Sequence, residues 1–321
     1  MEVILAKTAG FCFGVERAIN LVHEQIKKTR DGRKIFTFGP IINNAEVVKE
    51  LEEKGVYPIA STEQLKEIAG NVLVIRSHGV AKKVYEEAEK WNLEIVDATC
   101  PFVKKIHKIV EEESKNGKEI VIIGDKNHPE VKGIIGWTEG KVTVIADEKE
   151  AEDFRTDKNA KICVVSQTTF NLLKFQYVVE IIMKKGYDTC VIKTICNATQ
   201  ARQEEAGRIA ACVDKMIVIG DRHSSNTQKL YSICKELCTD TYYIQTLKDL
   251  HLELPTNAGL VGITAGASTP GSIIKEVKTI MSEKISEMEG ENFAELLEQS
   301  LKTLHTGETV KGVITSIAAN E

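Results

Sequence analysis

The chain has 321 residues, 42% of them apolar, enough for a large buried core and for two or three domains or subdomains. A net charge of −5 and a pI near 5.9 argue against a broad nucleic-acid footprint, so a small anionic ligand would need local donors. No apolar run approaches the roughly 18 residues of a membrane span. Residues 1–15 carry Glu2, Lys7 and two glycines and lack the apolar core of a secretory signal, so a cytoplasmic location is expected.

In chain order, short β-branched strands are predicted at 34–38, 72–75, 94–96, 119–123, 161–165, 190–192, 216–219 and 259–263. An amphipathic helix follows nearly every one. After Cys12, for instance, Val15, Ala18, Ile19, Val22 and Ile26 share one helical face. Strand–loop–helix repeated in this way predicts an α/β protein with mainly parallel sheets and right-handed crossovers.

A longer period overlies this one. LAKTAGFCFGVERA, EIVDATCPFVKKI and VIKTICNATQARQEEA each run strand, turn, cysteine, helix, and their cysteines, Cys12, Cys100 and Cys196, lie 88 and 96 residues apart. Two polar loops follow each: GPIINN and RSHGV, GDKNHPEV and SQTTF, GDRHSSNT and TAGAST. The pattern reads as three similar units around a pseudo-threefold axis: 14–99, 100–195, and 1–13 together with 196–281. A helical linker is expected over 282–305. The alternating GETVKGVITSI stretch within 306–321 reads as the opening strand of a further repeat.

Any one of the eight cysteines, taken alone, reads as a small core residue. The equivalent placement of three of them points instead to thiolates meeting at the axis. None has the close C-x₂₋₄-C neighbour of most zinc sites. Three separated thiolates suit an iron–sulfur cube whose fourth iron stays open. Cys163, Cys190, Cys212, Cys234 and Cys238 are expected in the core.

The six polar loops lie between strand C-termini and helix N-termini, where α/β folds bind ligands and where backbone N–H groups favour phosphate. His78, His128, Ser224, Ser225, Asn226, Ser268 and Thr269 supply donors there, and each also suits a helix cap. The nearest basic side chains in the sequence are Arg76 and Arg222. Glu130 follows His128-Pro129 in a donor-rich loop, where a carboxyl serves either as a proton source or as a first-turn glutamate complementing the helix dipole. Thr168 offers a hydroxyl for relay, or alternatively an N-cap.

At this point AGFCFGVERA, RSHGV, VDATCPFVKK, GDKNHPEVKG, SQTTF, CNATQARQ, SSNT and TAGASTP, in this order over residues 1–281, closely resemble the 4-hydroxy-3-methylbut-2-enyl diphosphate reductase family. The resemblance implies a three-lobed α/β trefoil around a [4Fe–4S] cluster held by Cys12, Cys100 and Cys196. It implies that His78, His128, Ser224, Asn226 and Ser268, with Ser225 beside them, hold the diphosphate. Glu130 would deliver a proton, and Thr168 would contact it and the substrate alcohol. Asn43 stands where the family carries a histidine; it can donate a hydrogen bond but cannot become cationic. The reaction implied is reductive dehydroxylation of the allylic diphosphate to isopentenyl and dimethylallyl diphosphate. Electrons would come from a ferredoxin or flavodoxin, since no G-x-G-x-x-G follows a strand. The tail resembles the first strand of a ribosomal-type OB-fold repeat, whose continuation would bring an RNA or ribosome contact. Two other readings compete: a non-redox hydro-lyase, against which the scarcity of arginine in the loops counts, and a non-catalytic cluster-bearing sensor or RNA-binding protein, against which the acidic charge counts.

Overall fold

The computed structural model describes residues 2–29, 32–250 and 259–283. In chain order it begins with β1 (Glu2–Leu5), α1 (Phe13–Lys28), β2 (Ile35–Phe38), α2 (Ala45–Glu53), β3 (Val56–Ile59), β4 (Val72–Ile75), α3 (Lys82–Lys90) and β5 (Glu94–Asp97). The middle holds α4 (Pro101–Lys115), β6 (Glu119–Ile123), α5 (Pro129–Ile135), β7 (Val142–Ile145), α6 (Glu148–Asp153), β8 (Lys161–Ser166), α7 (Leu172–Lys184) and β9 (Asp188–Val191). Then come α8 (Asn197–Ala210), β10 (Lys215–Ile219), α9 (Ser225–Leu237), β11 (Thr241–Ile244) and β12 (Leu260–Ala265), before a helical stretch over 271–283. The expected strand over 306–321, and the expected linker beyond residue 283, lie outside the described residues.

The twelve strands form three parallel four-stranded sheets, ordered β3-β2-β4-β5, β7-β6-β8-β9 and β11-β10-β12-β1. The three orders are one pattern, except that the fourth strand of the third sheet is β1, the first of the chain. Val72–Ile75 and Met216–Ile219 are wholly buried and Ile120–Ile123 nearly so, because helices cover both faces of each sheet. Alternate residues of one strand therefore feed two cores. Val72 and Val74 pack with Val15, Ala18 and Val22 of α1, while Leu73 and Ile75 meet Val84 and Ala88 of α3. In the second sheet, Val121 and Ile123 face α7, and Ile120 and Ile122 face α4. In the third, Ile217 and Ile219 face the 271–283 helix, and Met216 and Val218 face α8 and α9. Each fully buried aliphatic side chain contributes on the order of 1.5–3 kcal/mol.

Strands β3, β7 and β11 were not expected. They are the outermost strands of their sheets, four residues each and only partly buried. VYPI even carries Pro58, which an edge strand tolerates because one side of its backbone has no partner to bond. Their weaker apolar signal follows from that position. The cysteines divide in the same way. Cys163, Cys234 and Cys238 are buried, but Cys190, in edge strand β9, and Cys212, in the turn after α8, are exposed; the core placement expected for these two is wrong.

Candidate active site

Each repeat-equivalent cysteine follows the fourth strand of one sheet and is the N-cap of the helix that packs on the next: Cys12 for α1, Cys100 for α4 and Cys196 for α8. Their backbone N–H groups bond equivalent loops. Cys12 donates to the Ala267 carbonyl (3.3 Å), Cys100 to Ser77 (3.0 Å) and Cys196 to Thr168 (3.0 Å). Distant side chains hold the turns before them. Arg17 of α1 donates to the Thr99 and Asp97 carbonyls at 3.2 and 3.3 Å, and Glu205 of α8 accepts from the Lys7 and Thr8 amides at 3.0 and 2.8 Å.

All three thiols line one cavity, together with Asn43, His78, His128, Glu130, Thr168, Ser224, Ser225, Asn226 and Ser268. Of the site residues expected from the sequence, all but Thr269 line this cavity. Thr269 is buried behind it, its hydroxyl given to the Ile219 carbonyl at 3.0 Å.

The three thiols are open to the cavity. Gly14 stands against Cys100, where an added Cβ would meet its Sγ at 2.6 Å, so the missing side chain leaves the sulfur open. None of the three closes a side-chain cap bond to its helix. The Phe102 and Val103 amides nonetheless face the Cys100 sulfur and favour its thiolate, but burial dominates and pushes the Cys100 thiol up to about 11. Burial likewise raises Cys196. Such thiols lose their protons to a bound metal rather than to solvent. Among the described residues no three His, Cys, Asp or Glu groups converge on a single ion. Three thiols at helix ends, each available to a separate iron, fit a polynuclear core better.

Glu130 is the second residue of α5, placed there by the His128 cap and by Pro129, whose fixed φ suits a first helical turn. It is 1% exposed, with Oε1 accepting from the Thr168 N–H at 2.6 Å and Oε2 from the Thr168 hydroxyl at 2.7 Å. Burial raises its carboxyl to about 7 against the opposing pull of these two bonds. The 2.7 Å bond runs either way. With Glu130 ionised, Thr168 donates; with it protonated, the acid donates and the threonine hydrogen is free to turn elsewhere. Thr168 is not a helix cap: Asn171 caps α7.

His128 Nδ1 accepts from the Glu130 N–H at 3.2 Å, which leaves its proton on Nε2. Burial lowers His128 to about 4 and holds His78 well below the ordinary imidazole range, with the His128 ring and Arg76 adding to the effect on His78. The two rings stand edge to face, 5.4 Å between centroids. The His78 turn depends on Gly79, at φ +71°, where a Cβ would meet His107 at 2.6 Å.

The serine and asparagine donors are poised. Ser224 caps α9 and lies 3.3 Å from the Ser268 hydroxyl, whose hydrogen goes to the Asn43 carbonyl at 2.9 Å. Ser225 Oγ accepts from Gln167 (3.2 Å) and Thr169 (3.2 Å), leaving its own hydrogen available. Asn226 is 4% exposed, and both polar atoms of its amide lack a partner among the described residues, a costly arrangement unless a ligand completes it. Asn43 Nδ2 donates to the His223 carbonyl at 3.3 Å, so its donor is partly engaged.

The arginines differ from the sequence reading. Arg222 is exposed, and Arg76 is largely buried but is not among the cavity-lining residues. Arg202 of α8 lines the cavity. Its signal was periodicity: Thr199, Arg202, Ala206 and Ala210 fall on the buried face of the helix that Cys196 begins.

The LytB protein family matches residues 3–282 of the chain. A protein from Caldanaerobacter subterraneus subsp. tengcongensis named 4-hydroxy-3-methylbut-2-enyl diphosphate reductase is 48% identical over 292 residues, covering 91% of this chain and 99% of its own. One of the same name from Clostridioides difficile is 42% identical, covering 88% and 99%. Among solved structures, the reductase from Plasmodium falciparum superposes with a TM-score of 0.81 at 29% identity, over 87% of both chains. A structure described as the terminal enzyme of the non-mevalonate pathway has a TM-score of 0.65 at 41% identity, over 88% of this chain and all of that one.

Proposed function

The chain belongs to the LytB family, and from that premise we propose that it is a 4-hydroxy-3-methylbut-2-enyl diphosphate reductase acting in isoprenoid biosynthesis. The reaction replaces the allylic hydroxyl by hydrogen: two electrons and two protons enter, the C–O bond breaks, and water leaves with isopentenyl or dimethylallyl diphosphate. The observation that carries the reading is the meeting, in one cavity, of three separated thiols, a buried carboxyl–hydroxyl pair and a set of neutral donors.

Cys12, Cys100 and Cys196 would hold a [4Fe–4S] cluster, which when bound supplies the electrons one at a time and an open Lewis-acidic iron for the substrate oxygen. His78, His128, Ser224, Ser225, Asn226 and Ser268 bind the diphosphate as neutral donors at or beside helix N-termini. Their fixed positions orient the allylic chain toward the thiols, and orientation of this kind supplies much of a rate enhancement. Asn43 extends the same set from the first loop. Glu130, whose carboxyl burial raises to about 7, gives a proton through Thr168 to the departing oxygen, which leaves as water instead of hydroxide. Exclusion of bulk water from the Glu130 carboxyl keeps that proton in place until substrate arrives. A small cytoplasmic carrier of the ferredoxin or flavodoxin type delivers the electrons.

Anaerobic purification with iron and sulfide, followed by electron paramagnetic resonance and by turnover with a reduced carrier, tests the proposal. A loaded protein that consumes carrier and releases both diphosphate products is expected. A loaded protein that never oxidises the carrier would point to a non-redox lyase instead.

A further inference from the structure

Arg202 has a role that protein packing does not account for. It is 3% exposed, and its guanidinium makes one hydrogen bond among the described residues, from Nη1 to the Ala265 carbonyl at 2.8 Å. Its Nε is buried without a partner. A buried cation with neither a carboxylate nor a full set of acceptors is costly, and an apolar side chain of similar volume would stabilise the fold better. Of the two acids that follow it in sequence, Glu204 accepts from Gln200 at 2.8 Å, and Glu205, though within electrostatic reach of Arg202, accepts its hydrogen bonds from the Lys7 and Thr8 amides and the Thr8 hydroxyl.

What lies before it is the end of the cavity that holds the thiols. Arg202 is within electrostatic reach of Cys12 and Cys196, and it is the one lysine or arginine among the described cavity-lining residues. The other ionisable groups there add no positive charge: both histidines are held neutral, and Glu130 is neutral or anionic. Three thiolates around an iron–sulfur core give a net negative group, and each electron added makes it more so. In a medium of low polarity that charge is expensive unless a fixed cation stands close.

We propose that Arg202 is the buried counter-charge of the iron–sulfur core, and that it sets how readily the core accepts an electron. The proposal rests on the reading that Cys12, Cys100 and Cys196 hold a cluster. Arg202 is a positioning residue in this role: one electron passes from the reduced carrier to the core, and no bond to Arg202 forms or breaks. The Ala265 carbonyl aims the guanidinium, and the hydrogen bond is charge-assisted.

The test is a redox titration of the anaerobically loaded full-length protein, followed by electron paramagnetic resonance, for wild type, Arg202→Met, Arg202→Gln and Arg202→Lys. In both neutral variants the midpoint should move to a more negative potential by at least a tenfold change in the reduced-to-oxidised ratio, which is about 59 mV for one electron. Arg202→Lys, which keeps the charge, should stay near wild type. An unchanged midpoint in loaded Arg202→Met would overturn the proposal. So would an equal shift in Arg202→Lys, which would make shape rather than charge the determinant. Loss of folded protein in both neutral variants would assign Arg202 to holding the Ala265 loop, and would overturn it as well. If wild type itself takes up no iron and sulfide, it is the cluster reading that fails.

Discussion

Replacing Glu130 by glutamine separates the acid from its shape. The amide keeps the Thr168 N–H bond through its oxygen and still reaches the Thr168 hydroxyl through its nitrogen, so the α5 turn should hold. What disappears is ionisation. In the folded protein the carboxyl sits at about 7, against an ordinary value of 4.5, because burial disfavours its charge. A group raised in this way leaves stability intact below its unfolded value and erodes it as pH climbs to the folded one. At about 1.36 kcal/mol for each pH unit, the rise amounts to about 3 kcal/mol, lost between roughly pH 4.5 and pH 7 and constant above. Urea melts of wild type and Glu130→Gln across that range should therefore diverge, with the variant gaining about 3 kcal/mol relative to wild type on the alkaline side. The same variant should keep its cluster absorbance while turnover falls by about 10²–10⁴. Parallel pH profiles for the two proteins would refute the argument that Glu130 is held neutral, and unchanged turnover would remove it as the acid.

Other perturbations test the rest of the site. Cys100→Ser should abolish stable cluster loading, measured as iron per chain, whereas Cys212→Ser, at an exposed turn residue, should leave it at the wild-type level. Gly14→Ala would drive a methyl group into the Cys100 sulfur, and should cost most of the bound iron while circular dichroism stays native. Diphosphate binding to the cluster-loaded protein should take up protons, because an anion beside His78 and His128 raises imidazoles that burial holds low. Calorimetry in buffers of different ionisation heat measures that uptake, and His78→Ala should reduce it. Asn43→His should add a pH-dependent component to that affinity, strengthening it as pH falls through the imidazole range.

How far the sequence carries can be seen in particular residues. The strands ending at Ile75, Ile123 and Ile219 are legible because both of their faces are buried, which forces a continuous β-branched run. Edge strands β3, β7 and β11 carry half that constraint, and Tyr57, Pro58 and Tyr243 blur it further. The twelve expected cavity residues are legible because they occur in loops of one repeating grammar, strand then polar loop then helix. Arg202 does not. It reaches the cavity from the second turn of a helix, where an arginine ordinarily faces solvent. Only the tertiary packing of α8 against β12 turns it inward. Cys190 and Cys212 fail for the opposite reason: local apolar neighbours suggest burial, while an edge strand and a helix-ending turn expose them.

The closing of the third sheet by β1 has a temporal consequence. Glu2–Leu5 pair with Leu260–Ile263, so the turn presenting Cys12 has no platform until β12 has been synthesised. During translation the second thiol acquires its surroundings early, while the first waits for a pairing between residues 2–5 and 260–263, a slow event on topological grounds. The three thiols therefore come to share one cavity only after residue 265 has emerged.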